Sequence, residues 1–458
     1  LFLPVHINSK DTSEENLMEN SKIKLAFVFP GFGSQWKKMG AGLLKENAFR
    51  TAIQACDKQF GRYVDWHIEE EIQRPVEISK MEDTLIGYPC SLAIEIALME
   101  LLKNRGIVPD AVIGHSGGET AAAYTAGVLN LKDTFTVIRN HHLEMERGAG
   151  TSIMAHIGLP MERVEEILKN PSRGWRRQPE VIPLFVSACN SPGATVVSGE
   201  REAIEKFVEF LTKEKIFCRL LHTLAPFHSP LMEQYREEIY NRMKNIRPKK
   251  ASLPVYSSLV GRSGGEIDYG PSYWTEHMIK PVRFAPGIKA MIDDGFNVFV
   301  EISPHPVLSR NIKEILDDHG KGKGLVMGTL KRDEDESREL FDCLARLSIA
   351  GYVMPLERFK GEDKQRLQTA IASLTTDARD SRDSRDSRGL RGLQNTEDVI
   401  RLKTGTPGEK EKFIIQAIKQ SIREVLNKEI IPLHDIDLGF FEMGFDSLTS
   451  LKLSELLS

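Results

Sequence analysis

The stretch that most constrains this chain is Ala111-Val-Ile-Gly-His-Ser-Gly-Gly-Glu119. A short apolar run ends at Gly114, small residues flank Ser116, and a helical pattern follows. A strand that stops at Gly114 and restarts as a helix near Gly118 has to turn sharply, and glycine adopts such backbone angles without steric penalty. Gly-x-Ser-x-Gly in this setting lifts a serine hydroxyl clear of the chain. It also aims the helix's N-terminal amides at the same point, where negative charge is favoured. The five residues are equally compatible with an ordinary strand-to-helix turn whose serine caps the helix.

The surrounding pattern supports a layered α/β protein. Ala26 to Pro30 reads as a short buried strand, closed by Gly31-Phe-Gly-Ser-Gln35, whose two glycines let the backbone present amides inward. Apolar residues at three- and four-residue spacing predict helices over 41–60 and 89–104, and another over 133–147. Alternating strands and helices predict a mostly parallel sheet with helices on both faces. Between 152 and 222 the rhythm changes to strands at 152–158, 184–188, 195–198 and 217–221, with helices at 161–168 and 200–214. Asn190-Ser-Pro-Gly193 marks the turn between the middle strands. That β-α-β-β-α-β order predicts a ferredoxin-like subdomain inserted into the larger one. The larger domain resumes at Pro226-Phe-His-Ser-Pro230, includes a strand over 298–302, and ends near residue 355.

The two ends of the chain differ in character from this middle part. Residues 1–24 start apolar and turn polar and acidic, as a linker or the edge of a preceding domain would. Residues 356–404 include Asp-Ser-Arg repeats and read as a flexible, solvated linker. Within 405–458, Thr406-Pro-Gly-Glu409 is a capping box with proline at the first helical position. The helix it opens carries Ile414, Ile418, Ile422 and Val425 on one face.

Bulk properties narrow the field. A length of 458 residues, 41% of them hydrophobic, implies two or three domains with sizeable cores. A net charge of −4 suggests neither nucleic acid nor anionic membrane as a partner. Five cysteines are scattered without metal spacing, so neither a disulfide framework nor a metal site is expected, and the location expected is the reducing cytoplasm. No apolar run suggests a membrane span or signal peptide. The first residue, Leu1, suggests a cut from something longer.

Three stretches, Phe29-Pro-Gly-Phe-Gly-Ser-Gln35, Gly114-His-Ser-Gly-Gly-Glu119 and Pro226-Phe-His-Ser-Pro230, occur in the order seen in acyltransferase domains of polyketide and fatty-acid synthases. Glu301-Ile-Ser-Pro-His-Pro-Val-Leu308 and Lys280-Pro-Val-Arg-Phe284 resemble further segments of that malonyl-CoA:acyl-carrier-protein transacylase-like family. The resemblance spans residues 25–355 and implies an α/β-hydrolase-like large subdomain with the ferredoxin-like insertion at 152–222. It implies Ser116 as nucleophile and His228 as its base. The amides of Phe32 and Gly117 would form the oxyanion hole, and the main-chain carbonyl of His277 would orient His228. His115 and the His277 side chain are read as structural. Gly444-Phe-Asp-Ser-Leu448 resembles the modification site of an acyl carrier protein, so Ser447 would bear 4'-phosphopantetheine, on a carrier domain left incomplete at Ser458. The N-terminal residues resemble the linker that follows a ketosynthase. The implied partners are an acyl-coenzyme A thioester, a carrier in cis and other domains of a polyketide synthase.

Departures from the family pattern bear on the acyl group. Malonyl-type members hold the acyl carboxylate with an arginine on the helix after the elbow, and 25 residues on from Ser116 His141 stands at that position here. Arg139 lies two residues earlier, about 200° around the helix, and should face away. Imidazole does not reproduce a bidentate guanidinium clamp. Phe32 and Tyr88 replace residues that are usually glutamine, and Gly117 replaces a larger side chain, which is expected to widen the pocket. Ala225-Pro-Phe-His228 follows neither common selectivity pattern, although Phe227 leans towards malonyl. The pocket residues expected are therefore His141, Tyr88, Ala225 and Phe227, and the substrate expected is a non-carboxylated or otherwise unusual acyl unit. Malonyl with a compensating contact is the alternative. A hydrolase that edits stalled acyl groups, an inactive scaffold and a free esterase are the competing functions. The esterase would need an acid between serine and histidine that the sequence does not offer.

Overall fold

Five consecutive apolar residues, Leu25–Phe29, form strand β1, and all five are buried, as befits a strand covered on both faces. The structure is a computed structural model that describes residues 23–148, 152–169, 184–221, 225–265, 267–320 and 324–383. These elements, apart from the end of the last helix, belong to the first of two compact units, Leu1–Ile371.

After β1 come α1 (Asn47–Phe60), α2 (Ile68–Gln73), α3 (Thr84–Asn104), β2 (Ala111–Gly114), α4 (Gly118–Thr125) and α5 (Leu131–Gly148). The insertion follows, with β3 (Ser152–Ile157), α6 (Met161–Lys169), β4 (Phe185–Ser191), β5 (Ala194–Glu200), α7 (Arg201–Lys213) and β6 (Cys218–Leu221). The chain then forms α8 (Arg236–Met243), β7 (Val255–Ser257), β8 (Arg262–Ser263), α9 (Pro271–Ile279) and α10 (Phe284–Asp293). It closes with β9 (Val298–Glu301), α11 (Ser309–Asp318), β10 (Leu325–Gly328), α12 (Glu336–Ile349) and α13 (Glu362–Asp383).

The large sheet has the order β10-β9-β1-β2-β7-β8 and is parallel except where β8 runs against β7. Phe29 pairs with Gly114, so β1 and β2 end side by side. The chain leaves β1 towards β2 on one flank, while β9 lies on the other. A crevice past the strand ends at such a reversal is the usual ligand position in an open α/β sheet.

Helix α3 begins at Thr84, ahead of the start at 89 that the apolar spacing suggests. The Asp83 side chain caps it by accepting from the Leu85 amide. Pro89 therefore lies inside the helix, where it offers no N–H to the Leu85 carbonyl. His142 Nε2 takes that place at 3.0 Å. By length and composition α3 could cross a membrane, but it is a core helix, mostly buried and packed on α1, α4 and α5.

The insertion has the order β4-β5-β3-β6 with every pair antiparallel, the arrangement its β-α-β-β-α-β sequence predicts. Ile153, Ala155 and Ile157 alternate along β3 and meet Val164 and Ile167 of α6 and Ile204, Phe207 and Leu211 of α7. Burying a side chain of this size is worth about 1.5–3 kcal/mol. A short parallel bridge joins the insertion to the large subdomain at Ala188 and Val282. There Cys189 N–H donates to the Val282 carbonyl and Val282 N–H to that of Ser187, each at 2.9 Å.

One expectation is corrected at the C-terminal end. The first part of the proposed flexible linker is α13, whose Leu367 is fully buried. Asp363 at its start pairs with the buried Arg105 at 2.7 Å, so this segment is anchored where its charge-rich composition suggested solvent.

Candidate active site

The end of β2 puts Ser116 in a left-handed conformation, with φ of 50°. Non-glycine residues hold such angles only where the surroundings impose them. Here the packing is the cause. A Cβ on Gly114 would lie 2.2 Å from the Glu119 backbone, and one on Gly118 would lie 2.1 Å from the Phe29 carbonyl oxygen. Both glycines let α4 press onto the strand ends, which leaves Ser116 at the apex of the turn.

His228, 112 residues further on, brings Nε2 to 2.7 Å from Ser116 Oγ. Its backbone is also left-handed, with φ of 59°, and its amide donates to the Met278 carbonyl at 2.9 Å. Nδ1 lies 3.1 Å from the Lys280 carbonyl oxygen. A carbonyl only accepts, so Nδ1 carries the proton and Nε2 turns its lone pair to the serine hydroxyl. Burial pushes this imidazole well below its ordinary range, and the neighbouring His277, His115 and His141 add to the effect. A neutral imidazole at hydrogen-bond distance from a hydroxyl can take its proton.

The orienting carbonyl is therefore that of Lys280, which corrects the expectation of His277. Helix α9 ends at Ile279, and Lys280 turns to extended angles, φ −85° and ψ 152°. That turn swings its carbonyl off the helix axis towards His228. The His277 side chain instead stands edge-on to His228, ring centres 5.8 Å apart, and lies 3.4 Å from a Glu119 carboxylate oxygen. Burial pushes the Glu119 carboxyl up, but His277 and hydrogen bonds from Ser258 and Tyr273 outweigh it and hold the group below its ordinary value. The Ser258 amide donates to Glu119 at 2.8 Å, and both the Ser258 and Tyr273 hydroxyls donate to it as well. In the sequence Lys280 only opens a family segment and Glu119 only closes the serine motif, because a carbonyl leaves no side-chain signal and the partners of Glu119 are distant in the chain.

The two expected oxyanion donors differ. Gly117 precedes α4 as its N-cap, so its amide is among those that a helix start leaves without a helical partner. The Phe32 amide donates instead to the Pro30 carbonyl at 3.0 Å, inside its own tight turn. Next to it, Gly31 N–H donates to Glu95 at 2.8 Å. Burial raises that carboxyl well above its usual range. His115 acts as a strut, with Nε2 2.7 Å from Asn190 Oδ1 of the insertion.

The expected pocket residues come together. Tyr88 stands 6.4 Å from Phe32 and 6.0 Å from His141, ring centre to ring centre, and His141 is 5.6 Å from Phe227. Ala225, Phe227, Tyr88 and His141 are all buried. Burial, and then His277, push the His141 imidazole down to about 3, so it is neutral at physiological pH. Arg139 turns the other way, to His142 Nδ1 at 2.6 Å and Glu146 at 3.5 Å. Ser447 and the carrier segment lie outside the described residues. Among the described residues no group of three His, Cys, Asp or Glu side chains is placed to hold a metal. A cleft of about 790 Å³ lined by α1, α3, Arg105 and Asp363 does not include Ser116 or His228. The hydroxyl–imidazole geometry, not cleft size, marks the site.

Gly117 does not widen the pocket, contrary to expectation. A Cβ there would fall 2.6 Å from the Tyr88 hydroxyl and 2.7 Å from its ring, so the tyrosine fills the space that a larger residue would take. Gly117→Leu is expected to destabilise the fold by about 1–3 kcal/mol, the usual range for overpacking. Adding Tyr88→Ala should recover most of that loss in a thermal melt. Losses that simply add would rule out the complementary pair.

A serine on a strained strand–helix elbow, facing a neutral imidazole, is an arrangement suited to nucleophilic attack by the hydroxyl. Residues 26–352 match the family described as "Acyl transferase domain", and the chain belongs to that family. Polyketide synthase GfsE of Streptomyces halstedii is 33% identical over 334 residues, 72% of this chain but 8% of GfsE. The chain thus spans under a tenth of that relative. A loading acyltransferase from the avermectin modular polyketide synthase is 33% identical with a TM-score of 0.65, and the match covers 71% of this chain and 99% of that one. A malonyl CoA-acyl carrier protein transacylase from Clostridium perfringens is 25% identical with a TM-score of 0.61, covering 71% of this chain and 97% of that one.

Proposed function

We propose that the chain transfers a non-carboxylated acyl group from a coenzyme A thioester, through an ester on Ser116, to a carrier-borne thiol in a polyketide synthase. Ser116 Oγ attacks the thioester carbon as its proton passes to His228 Nε2. The C–O bond forms, the C–S bond breaks, and the proton leaves with the coenzyme A thiolate. In the second half an acceptor thiol gives its proton to His228, its sulfur attacks the ester carbon, and Oγ regains the proton as it departs. The carbonyl oxygen gains negative charge in each half. The Gly117 amide is one donor for it, and the Phe32 amide becomes the second by exchanging its bond to Pro30. One such donor is worth about 3 kcal/mol of barrier. Glycine-motif sequence at 444–448 supports Ser447 as the attachment point of the acceptor arm in cis. The family match over residues 26–352 supports residues 25–355 as the catalytic domain, working beside a ketosynthase and a carrier.

The observation that carries the acyl assignment is His141. A buried neutral imidazole stands at the clamp position, and Arg139 is engaged elsewhere. A malonyl carboxylate there would lose its hydration without a guanidinium partner, which costs several kcal/mol. The similarity to a loading acyltransferase fits this reading. The test is acyl-enzyme formation followed by intact mass with acetyl-, propionyl-, butyryl-, malonyl- and methylmalonyl-coenzyme A. The uncharged acyl groups should load at least about tenfold faster than the carboxylated ones. Fastest loading by malonyl would sink the assignment.

A further inference from the structure

We propose that the acyl group this pocket selects carries a hydroxyl, held between Tyr88 and His141; the inference rests on the non-carboxylated reading above. Among the described residues, several buried polar atoms beside the site have no hydrogen-bond partner; they include both ring nitrogens of His277, the Tyr88 hydroxyl and His141 Nε2, and the last two belong to rings that stand side by side. Tyr88 is 1% exposed and His141 2%, and such orphans are rare in folded proteins unless a ligand or water completes them. Their chemistry is complementary. His141 Nδ1 lies 3.1 Å from the Val137 carbonyl, so it holds the ring's single proton and leaves Nε2 a bare acceptor. Burial and Glu95 hold the Tyr88 phenol well above its ordinary value, so it stays a donor. One donor and one acceptor are what an aliphatic hydroxyl, itself donor and acceptor, can satisfy at once. An ionised carboxylate satisfies only the donor.

The placement points at the acyl chain. The Tyr88 hydroxyl lies over Gly117, the residue after the nucleophile, 2.6 Å from where a Cβ would stand. The His141 ring is 6.0 Å from the Tyr88 ring and 5.6 Å from Phe227, the residue before the base. The remaining wall is aromatic, with Phe32 beside Tyr88 and His277 at 6.2 Å from His141. An unsubstituted acyl chain would leave both polar atoms buried and unpaired. A site built to hydrogen-bond a substrate hydroxyl discriminates strongly against the analogue that lacks it.

The experiment is single-turnover acylation of the full chain by matched pairs, lactyl- against propionyl-coenzyme A and 3-hydroxybutyryl- against butyryl-coenzyme A, with malonyl-coenzyme A as a separate arm. At least one hydroxyacyl group should load about tenfold or more faster than its unsubstituted partner. Tyr88→Phe, which removes only the oxygen, and His141→Phe should each bring the pair to within about threefold. Equal rates for both pairs in the wild-type protein overturn the inference. So does a hydroxyl preference that survives both substitutions. If all uncharged groups outpace malonyl but hydroxyl makes no difference, only this inference fails. If malonyl outpaces every uncharged group, the acyl assignment itself fails.

Discussion

Ser116→Ala is expected to abolish the acyl-enzyme altogether, so that no adduct mass is detected with any acyl-coenzyme A. His228→Ala leaves the hydroxyl but removes its proton acceptor, which lowers the acylation rate about 10²–10⁴-fold. Intact-mass kinetics separate the two, since the first loses the site of attachment and the second only the speed. A His228→Ala protein that acylates at the wild-type rate would remove the imidazole from the reaction. The pH profile carries a second signature. Burial and three neighbouring histidines hold His228 well below its ordinary value, so its basic form persists and the acid limb of the acylation rate lies below the usual imidazole range. Stability also falls on the acid side, and begins to do so at a higher pH than the rate. His115, His141 and His228 are all depressed in the folded chain, whereas in the unfolded chain they titrate near about 6.5. The unfolded state therefore binds protons first, and stability falls as pH drops below that point. Acid-limb rates should be read in brief pH jumps, ahead of unfolding.

Glu119→Leu is the substitution with the largest expected effect on folding. It deprives the Ser258 amide and the Ser258 and Tyr273 hydroxyls of their shared acceptor, and His277 of its neighbouring carboxylate, at a fully buried position. Breaking a buried charge cluster from one side costs about 3–5 kcal/mol, and equilibrium denaturation in urea measures it. Glu119→Gln keeps one acceptor oxygen and the shape, so it should lose roughly half as much. Because His277 stands edge-on to His228, the glutamine variant should also displace the acid limb of the rate profile. A Glu119→Leu protein as stable as the parent would show that the cluster does not anchor the elbow.

The sequence foretold the parts of this architecture that rest on local pattern. The alternating residues of β3 and the helical spacing of Ile204, Phe207 and Leu211 make the inserted subdomain legible as a β-α-β-β-α-β unit. The glycines around Ser116 announced a tight elbow because no other residue fits there. What escaped depends on distant partners. Nothing local says that His142 replaces the hydrogen bond Pro89 cannot make, so the apolar spacing alone places the start of α3 five residues late. The Lys280 carbonyl is invisible in any residue pattern. The space beside Gly117 looked vacant only because Tyr88, far away in sequence, could not be seen to enter it. Charge-rich composition hid the contact of Asp363 with Arg105, and with it the first turns of α13.

The strut and bridge between the two subdomains limit how the enzyme can breathe. Swinging the smaller lobe outward as a rigid flap would break the Cys189–Val282 and Val282–Ser187 main-chain bonds and pull Asn190 from His115. Since His115 precedes the nucleophile, that same swing would drag the serine out of line with its base. Any outward movement of the smaller lobe is therefore opposed by these bonds and coupled to the position of Ser116.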